Sequence, residues 1–293
     1  MISAKNLIIL LIVLAIFGCS STAPPSSKLG QTVDEVLNKH HRCNDRIILR
    51  YQHLTVRQIQ IACNSISHTQ KRFHQVFATK GKPVADDYNQ VMRANIYASR
   101  SEFVRHATNH FEMPTDNGGM YLEGNPSLKH NQAEFVAYVH DGNIWNLEHE
   151  FVHYLDSRYN LYGDFCLSLH DDHEGPEYCP KPTPSFPHLV WWSEGLAEYL
   201  AYGLRNPAAV SLRKQQAFFL SELFNTSYNR NNGPDRVYGF SYLAVRYMLE
   251  NHQNRVSQML VLTRHGDYVG YQALVRSWGR TMDQGFARWL KQL

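Results

Sequence analysis

The chain has 293 residues, 43% of them hydrophobic and 19% charged, with a formal net charge of +3. Such a composition belongs to a globular protein with a large core, and so small a charge gives no reason to expect a nucleic-acid partner. The sequence shows no internal repeat, no coiled coil and, past its N-terminus, no run that reads as a membrane span.

Lys5 precedes an apolar run from Leu7 to Phe17 that ends at Gly18-Cys19-Ser20-Ser21. A positive start, an apolar stretch and a small residue before the cut describe an export signal over residues 1–18. The run is too short for a bilayer span, which takes about 20 residues. Ile16-Phe17-Gly18-Cys19 resembles a bacterial lipobox, which implies cleavage before Cys19 and a lipid on its thiol. Ser20 after the cysteine implies the outer membrane of a Gram-negative cell. Residues 19–29, rich in Ser and Pro, read as a flexible tether. Cys43, Cys63, Cys166 and Cys179 remain, and four cysteines in an exported chain favour two disulfides. Three pairings are open. Cys43–Cys63 with Cys166–Cys179 is the local one, and none of the four has the C-x-x-C spacing of a zinc cluster.

Residues 30–85 read as an N-terminal helical segment. Val56, Ile59, Ile61, Cys63, Ile66, Phe73, Val76 and Phe77 fall at helical spacing and predict a helix over 54–78, capped by Thr55 and ended by Gly81-Lys82-Pro83. Residues 86–293 read as the main domain. A strand over 90–98 leads into a helix over 99–111 with Ser99 or Ser101 as its cap. Residues 118–124 and 133–142 form a strand pair around an Asn-Pro-Ser turn. Asn143 is the expected cap of a helix over 144–159. A proline-rich loop over 161–189 leads to a helix over 191–204, and the rest is mostly helical, with one helix starting near Tyr238. Strands first and helices later indicate an α+β protein.

The helix over 144–159 contains His149-Glu150-Phe151-Val152-His153, a match to H-E-x-x-H. Residues four apart share one helix face, so both imidazoles can meet one ion. Two imidazoles do not complete a catalytic zinc site, which needs a third protein ligand and one open position. Glu150 is rotated by about 100° from His149, so it can reach a water at the open position without binding the metal. Placing these groups among Trp145, Leu147, Phe151 and Leu155 is costly without a purpose. The third ligand should lie downstream on another element. In "WWSEGLAEYLAYG", Glu194 and Glu198 are four apart on an apolar helix. Glu194 reads as the ligand, and Glu198 as the acceptor for the spare N–H of a ligand histidine. His140 and the patch His170-Asp171-Asp172-His173-Glu174 read as solvated loop residues and not as a second ion site.

"HEFVHYLDSRYNLYGDF" followed by "WWSEGLAEYLA" resembles the peptidase domain of the bacterial collagenases, the M9 family, and its Vibrio-type members in particular. The resemblance is good over about residues 96–252. It implies a gluzincin with a thermolysin-like zincin fold: a small mixed sheet, an active-site helix and a mainly helical C-terminal part. It implies His149, His153 and Glu194 as zinc ligands and Glu150 as general base. "NGGMYLEG" resembles the edge strand that holds the peptide substrate, with Gly118 and Gly119 allowing close backbone approach and Tyr121 beside them. Glu123 matches a carboxylate ligand of the family's structural calcium. Tyr238 in "RVYGFSY" matches a tyrosine that stabilises the tetrahedral intermediate, with Tyr242 the weaker candidate.

Full-length members carry a helical activator domain before the peptidase domain and often binding modules after it. Here about 90 residues precede the first expected strand and nothing modular follows Leu293. The expected substrates are therefore unfolded or gelatin-like peptides and not native collagen. Glu194 lies 41 positions after His153, a spacer longer than the shortest in the family. It holds Cys166, Cys179 and the prolines, and a disulfide-closed loop there would restrict access to the cleft. The expected activity is that of a monomeric zinc metalloendopeptidase, held at a membrane by its lipid and acting on polypeptides. The alternatives are a surface-anchored zinc hydrolase of another envelope substrate and a non-catalytic binding protein on a peptidase fold. The intact Glu150 argues against the second.

Overall fold

The computed structural model describes residues 31–169, 186–215, 217–228 and 233–293. The export signal, the tether with Cys19, the polar patch at 170–174 and Cys179 lie outside the described residues.

A mixed sheet organises the chain. Its strands lie in the order β1 (Lys39–Arg42), β2 (Ile47–Tyr51), β3 (Met92–Tyr97), β5 (Ala133–His140) and β4 (Gly119–Leu122). The three central strands β2, β3 and β5 are parallel, and β1 and β4 run antiparallel at the two edges. A short β6 (Asn143–Ile144) folds back on the end of β5. The two-residue period of a strand sorts the side chains onto two faces. Leu49, Ala94, Ile96, Phe135 and Ala137 enter the main core. Tyr97, Val136 and Tyr138 enter a smaller one.

The helix α1 (Val33–Val36) and the helix α3 (Arg100–Phe111) contribute to the smaller core through Val36, Phe103 and Ala107. The same sheet face carries a polar ladder. Arg50 Nε donates to Asn95 Oδ1 at 2.7 Å, Asn95 Nδ2 donates to Glu134 Oε2 at 2.6 Å, and Arg93 pairs with Glu134. Buried Arg50 is thereby satisfied, with Asp34 as its second partner at 2.9 Å. On the other face lie the helix α2 (Val56–Phe77) and the helix α4 (Leu147–Asn160), whose Ile66, Phe73, Phe151 and Leu155 are fully buried.

The expected boundary near residue 85 is not found. Thr32–Leu293 forms one compact unit, and the segment over 30–85 supplies two strands of the common sheet as well as a helix. The helix itself is as the spacing predicts: Thr55 accepts from Gln58 N, and Gln58 returns a bond to Thr55 N. Ser99 caps α3. Asn143 does not cap α4, because it is paired in β6. The cap position falls to Asn146, in the left-handed region at φ 50°, with no side-chain cap bond. A disulfide joins Cys43, just after β1, to Cys63 on α2. Closing a loop of 20 residues contributes about 3 kcal/mol on the chain-entropy account. Cys166 is also disulfide-bonded, while Cys179, its expected partner, lies outside the described residues. No helix among the described residues is long and apolar enough to cross a membrane.

The C-terminal half is helical. The helix α5 (Val190–Tyr202) buries Trp191, Trp192 and Leu196 completely. After it come α6 (Pro207–Leu212), α7 (Leu220–Leu223), a π-helical turn (Asp235–Phe240), α8 (Ser241–Asn251), α9 (Gln253–Arg264), α10 (Tyr268–Trp278) and α11 (Asp283–Gln292). Helix α5 packs against both α4 and α8. At Gly195 the packing is backbone to backbone: a Cβ there would sit 2.3 Å from the Ser241 carbonyl oxygen. This contact brings the π-helical turn close to the face of α5 that carries Glu194. Helix propensity alone predicts a gain of about 1 kcal/mol for Gly195→Ala. The clash predicts a loss of about 1–3 kcal/mol, seen as a lower urea midpoint with an unchanged slope. A raised midpoint would show that the two helices do not touch here.

Candidate active site

Two buried helices bring the acidic and imidazole groups together. Helix α4 presents His149 and His153 from one face, and α5 presents Glu194 and Glu198 towards them. His149 Nε2 lies 3.1 Å from His153 Nε2 and 3.2 Å from Glu194 Oε2, and His153 Nε2 lies 3.6 Å from the same oxygen. Ligand atoms bonded at 2.0–2.1 Å around a tetrahedral zinc lie roughly 3.3 Å apart. The three atoms therefore suit one such ion. Among the described residues this is the one group of three His, Cys, Asp or Glu that could hold a metal.

The surroundings fix these groups in place. His149 Nδ1 lies 3.1 Å from Glu198 Oε1, and Glu198 Oε2 accepts from Asn206 Nδ2 at 2.7 Å. Asn206 in turn caps α6 by accepting from Ala209 N at 3.1 Å. Asp156, one turn along from His153, accepts from Trp192 Nε1 and Asn160 Nδ2. Burial pushes the Asp156 carboxyl up to about 6. Burial also works against a charged His149, but its bonds to Glu194 and Glu198 outweigh it and hold the imidazole well above its usual value. Glu194 is held well below the carboxylate range because His153 and His149 outweigh its burial.

Glu150 stands beside the cluster without joining it. Its Oε2 accepts from the backbone N–H of Tyr121 on β4 at 3.0 Å. Burial raises the carboxyl, with His149 and His153 pulling it partly back. A buried carboxyl whose pKa is raised is suited to taking and returning a proton. The groups line a cleft of about 600 Å³ between β4, α4, α5 and the π-helical turn.

Residues 27–289 match the family model Peptidase M9, described as collagenase. The chain belongs to the M9 collagenase family. It is 39% identical over 264 residues to a microbial collagenase of Vibrio alginolyticus and 40% identical over 262 residues to one of Vibrio vulnificus. Each match takes in 88% of this chain and 30% of the relative. A collagenase of Clostridium tetani is 25% identical over 218 residues, 70% of this chain and 20% of that protein. The M9 chain thus spans about a third of the length of the curated relatives it matches, or less.

Other expected site residues of this M9 chain take up distinct positions. Tyr238, on the π-helical turn, lies with its ring 6.1 Å from that of His149 and is 40% exposed to the cleft. Its hydroxyl makes no hydrogen bond among the described residues. The Glu194 charge and burial push its pKa far up, so it keeps its proton and stays a donor. Tyr242 is buried, and its hydroxyl donates to Gly203 O at 2.8 Å, away from the cleft. Gly118 and Gly119 line the cleft, yet packing within the chain already demands both glycines. A Cβ at Gly118 would sit 2.0 Å from Trp145 Nε1, and one at Gly119 would sit 2.8 Å from Val136 O. Glu123 is buried at the cleft, and its backbone oxygen accepts from Asn89 and Asn131. It joins no group of three metal-ligating side chains among the described residues. His140 pairs with Asp141 at the surface.

The sequence reading missed Asn206 and Tyr228. Tyr228 hydrogen-bonds Glu194 Oε1. Neither lies on the same helix or strand as the residue it serves. The N-cap pattern Asn-Pro at the start of α6 was the one local sign available for Asn206.

Proposed function

We propose that this chain is a zinc-dependent endopeptidase of the zincin fold that cleaves extended, unfolded polypeptides. The observation that carries this reading is the convergence of His149, His153 and Glu194 on one point beside the buried carboxyl of Glu150. These three residues would hold the metal. Zinc bound there supplies a Lewis acid for the scissile carbonyl and for water.

The chain's own groups do the rest. Glu198 accepts the Nδ1 proton of His149, which leaves Nε2 with its lone pair for the metal. Glu150 takes the proton of the attacking water and passes it to the leaving nitrogen. Tyr238 donates its hydroxyl proton in a hydrogen bond to the carbonyl oxygen as charge develops there. Strand β4 is a sheet edge, paired on one side to β5. The Tyr121 N–H faces Glu150, and by the strand period the backbone groups of Gly119 face the same way. A substrate backbone laid along that edge pairs with the Gly119 groups. Such pairing requires the substrate's own N–H and C=O groups to be free, which an unfolded chain offers and a folded one does not.

The test is to incubate the purified protein, and its Glu150→Gln variant, with gelatin, native triple-helical collagen and unstructured peptides, with and without a chelator. Cleavage of gelatin and peptides, abolished by chelator and restored by zinc, is the expected result. Zinc near one per chain with no peptide cleaved would sink the proposal. An export signal and lipid attachment at Cys19 belong to the same proposal, with the outer membrane as destination. Cys19→Ser should then move the protein from the membrane pellet to the soluble fraction, and unchanged retention would contradict the anchor.

A further inference from the structure

Glu194 has two oxygens in different surroundings. Oε2 faces the two imidazoles, at 3.2 and 3.6 Å. Oε1 accepts a hydrogen bond from the hydroxyl of Tyr228, which reaches it from a position 34 residues along the chain. The same division holds at Glu198, where one oxygen faces His149 and Asn206 occupies the other. A carboxylate can bind zinc through one oxygen or two. Two would fill the position that a catalytic site keeps open for water or substrate.

We infer that Tyr228 is a positioning residue that holds Glu194 to ligation through Oε2 alone. This rests on reading the cluster as a zinc site. The hydroxyl engages Oε1 with its proton and so fixes the rotation of the carboxylate about its long axis. Tyr228 lines the same cleft as Tyr238, but its hydroxyl is bonded to a ligand residue. The hydroxyl of Tyr238 has no such bond and is left for substrate. The two tyrosines divide the work: one orients the ligand, the other meets the reacting carbonyl.

Tyr228→Phe removes one oxygen and keeps the ring. Zinc affinity is measured by competition with a chromophoric chelator, beside wild type and Tyr238→Phe. Melting temperature is measured with zinc and after chelation. For Tyr228→Phe the expected result is zinc binding weaker by about 10–100-fold. Its zinc-induced rise in melting temperature should shrink, so that its loss relative to wild type is larger with zinc than after chelation. At saturating zinc, kcat falls and KM stays within about twofold, since the substrate contacts are untouched. Tyr238→Phe should lower kcat with zinc affinity unchanged. Equal loss of melting temperature with and without zinc would overturn the inference, since the hydroxyl would then serve the fold alone. Wild-type zinc affinity in Tyr228→Phe would overturn it too. If wild type itself takes up no stoichiometric zinc, the reading of the site fails, and this inference with it.

Discussion

Replacing Glu150 with glutamine is expected to lower kcat/KM on an unstructured peptide by about three orders of magnitude while zinc binding stays intact. General acid–base groups contribute roughly 10²–10⁴-fold, and Glu150 would serve in both directions of proton transfer. Glutamine keeps the shape and can still accept the Tyr121 N–H that Glu150 Oε2 now holds at 3.0 Å. It cannot take a proton. The contrast with a metal ligand is geometric: Glu150 points at β4, and His149, His153 and Glu194 converge without it. The pH profile gives a second readout. Burial raises the Glu150 carboxyl in the metal-free chain, and the base works only when ionised, so wild-type kcat/KM should rise with pH as that carboxyl ionises. The residual activity of the glutamine variant should lack that limb. A loss of less than tenfold would place the base elsewhere, and a loss of zinc would make Glu150 part of the metal site.

What was legible in the sequence was legible because it is local. The four-residue spacing of His149 and His153, and of Glu194 and Glu198, states a shared helix face, and both pairs do face one another across α4 and α5. Thr55 and Gln58 form a complete capping box within four residues. The failures are contacts made across distance. Strand β2 was hidden because Arg50 breaks its apolar pattern. Buried Arg50 makes sense only beside Asn95, 45 residues on. Tyr228 and Asn206 act on carboxylates from separate elements, so no period announces them. Gly118 reads as a place for substrate until Trp145 is seen lying against it. The start of α4 slipped from Asn143 to Asn146 because β6 claims Asn143 for the sheet. Local pattern cannot weigh that competition.

Exchanging Glu194 for alanine is expected to reduce bound zinc from about one per chain to under a tenth, and to remove activity with it, because two imidazoles alone make a weak and undirected site. The effect on stability separates metal loss from misfolding. In wild type, zinc should bind the folded chain in preference to the unfolded one and so raise the melting temperature, and a chelator should take that rise away. In Glu194→Ala the chelator should do nothing. The chelated proteins should also differ, through the buried pair of Glu194 and His149. The raised pKa of His149 adds stability that is complete below its unfolded value, near 6.5, and is lost as pH climbs through the raised value. The lowered pKa of Glu194 adds stability that is present above its unfolded value, near 4.3, and is lost as pH falls through the depressed one. Both contributions overlap from about pH 4.3 to 6.5. There chelated wild type should exceed Glu194→Ala by the largest margin, on the order of 3 kcal/mol for a buried pair with one partner removed. Above that window protons on His149 compete less with the metal, so zinc affinity of wild type should climb with pH. A pH-independent zinc affinity, or a chelated alanine variant as stable as wild type at pH 6, would contradict the pairing of Glu194 with His149.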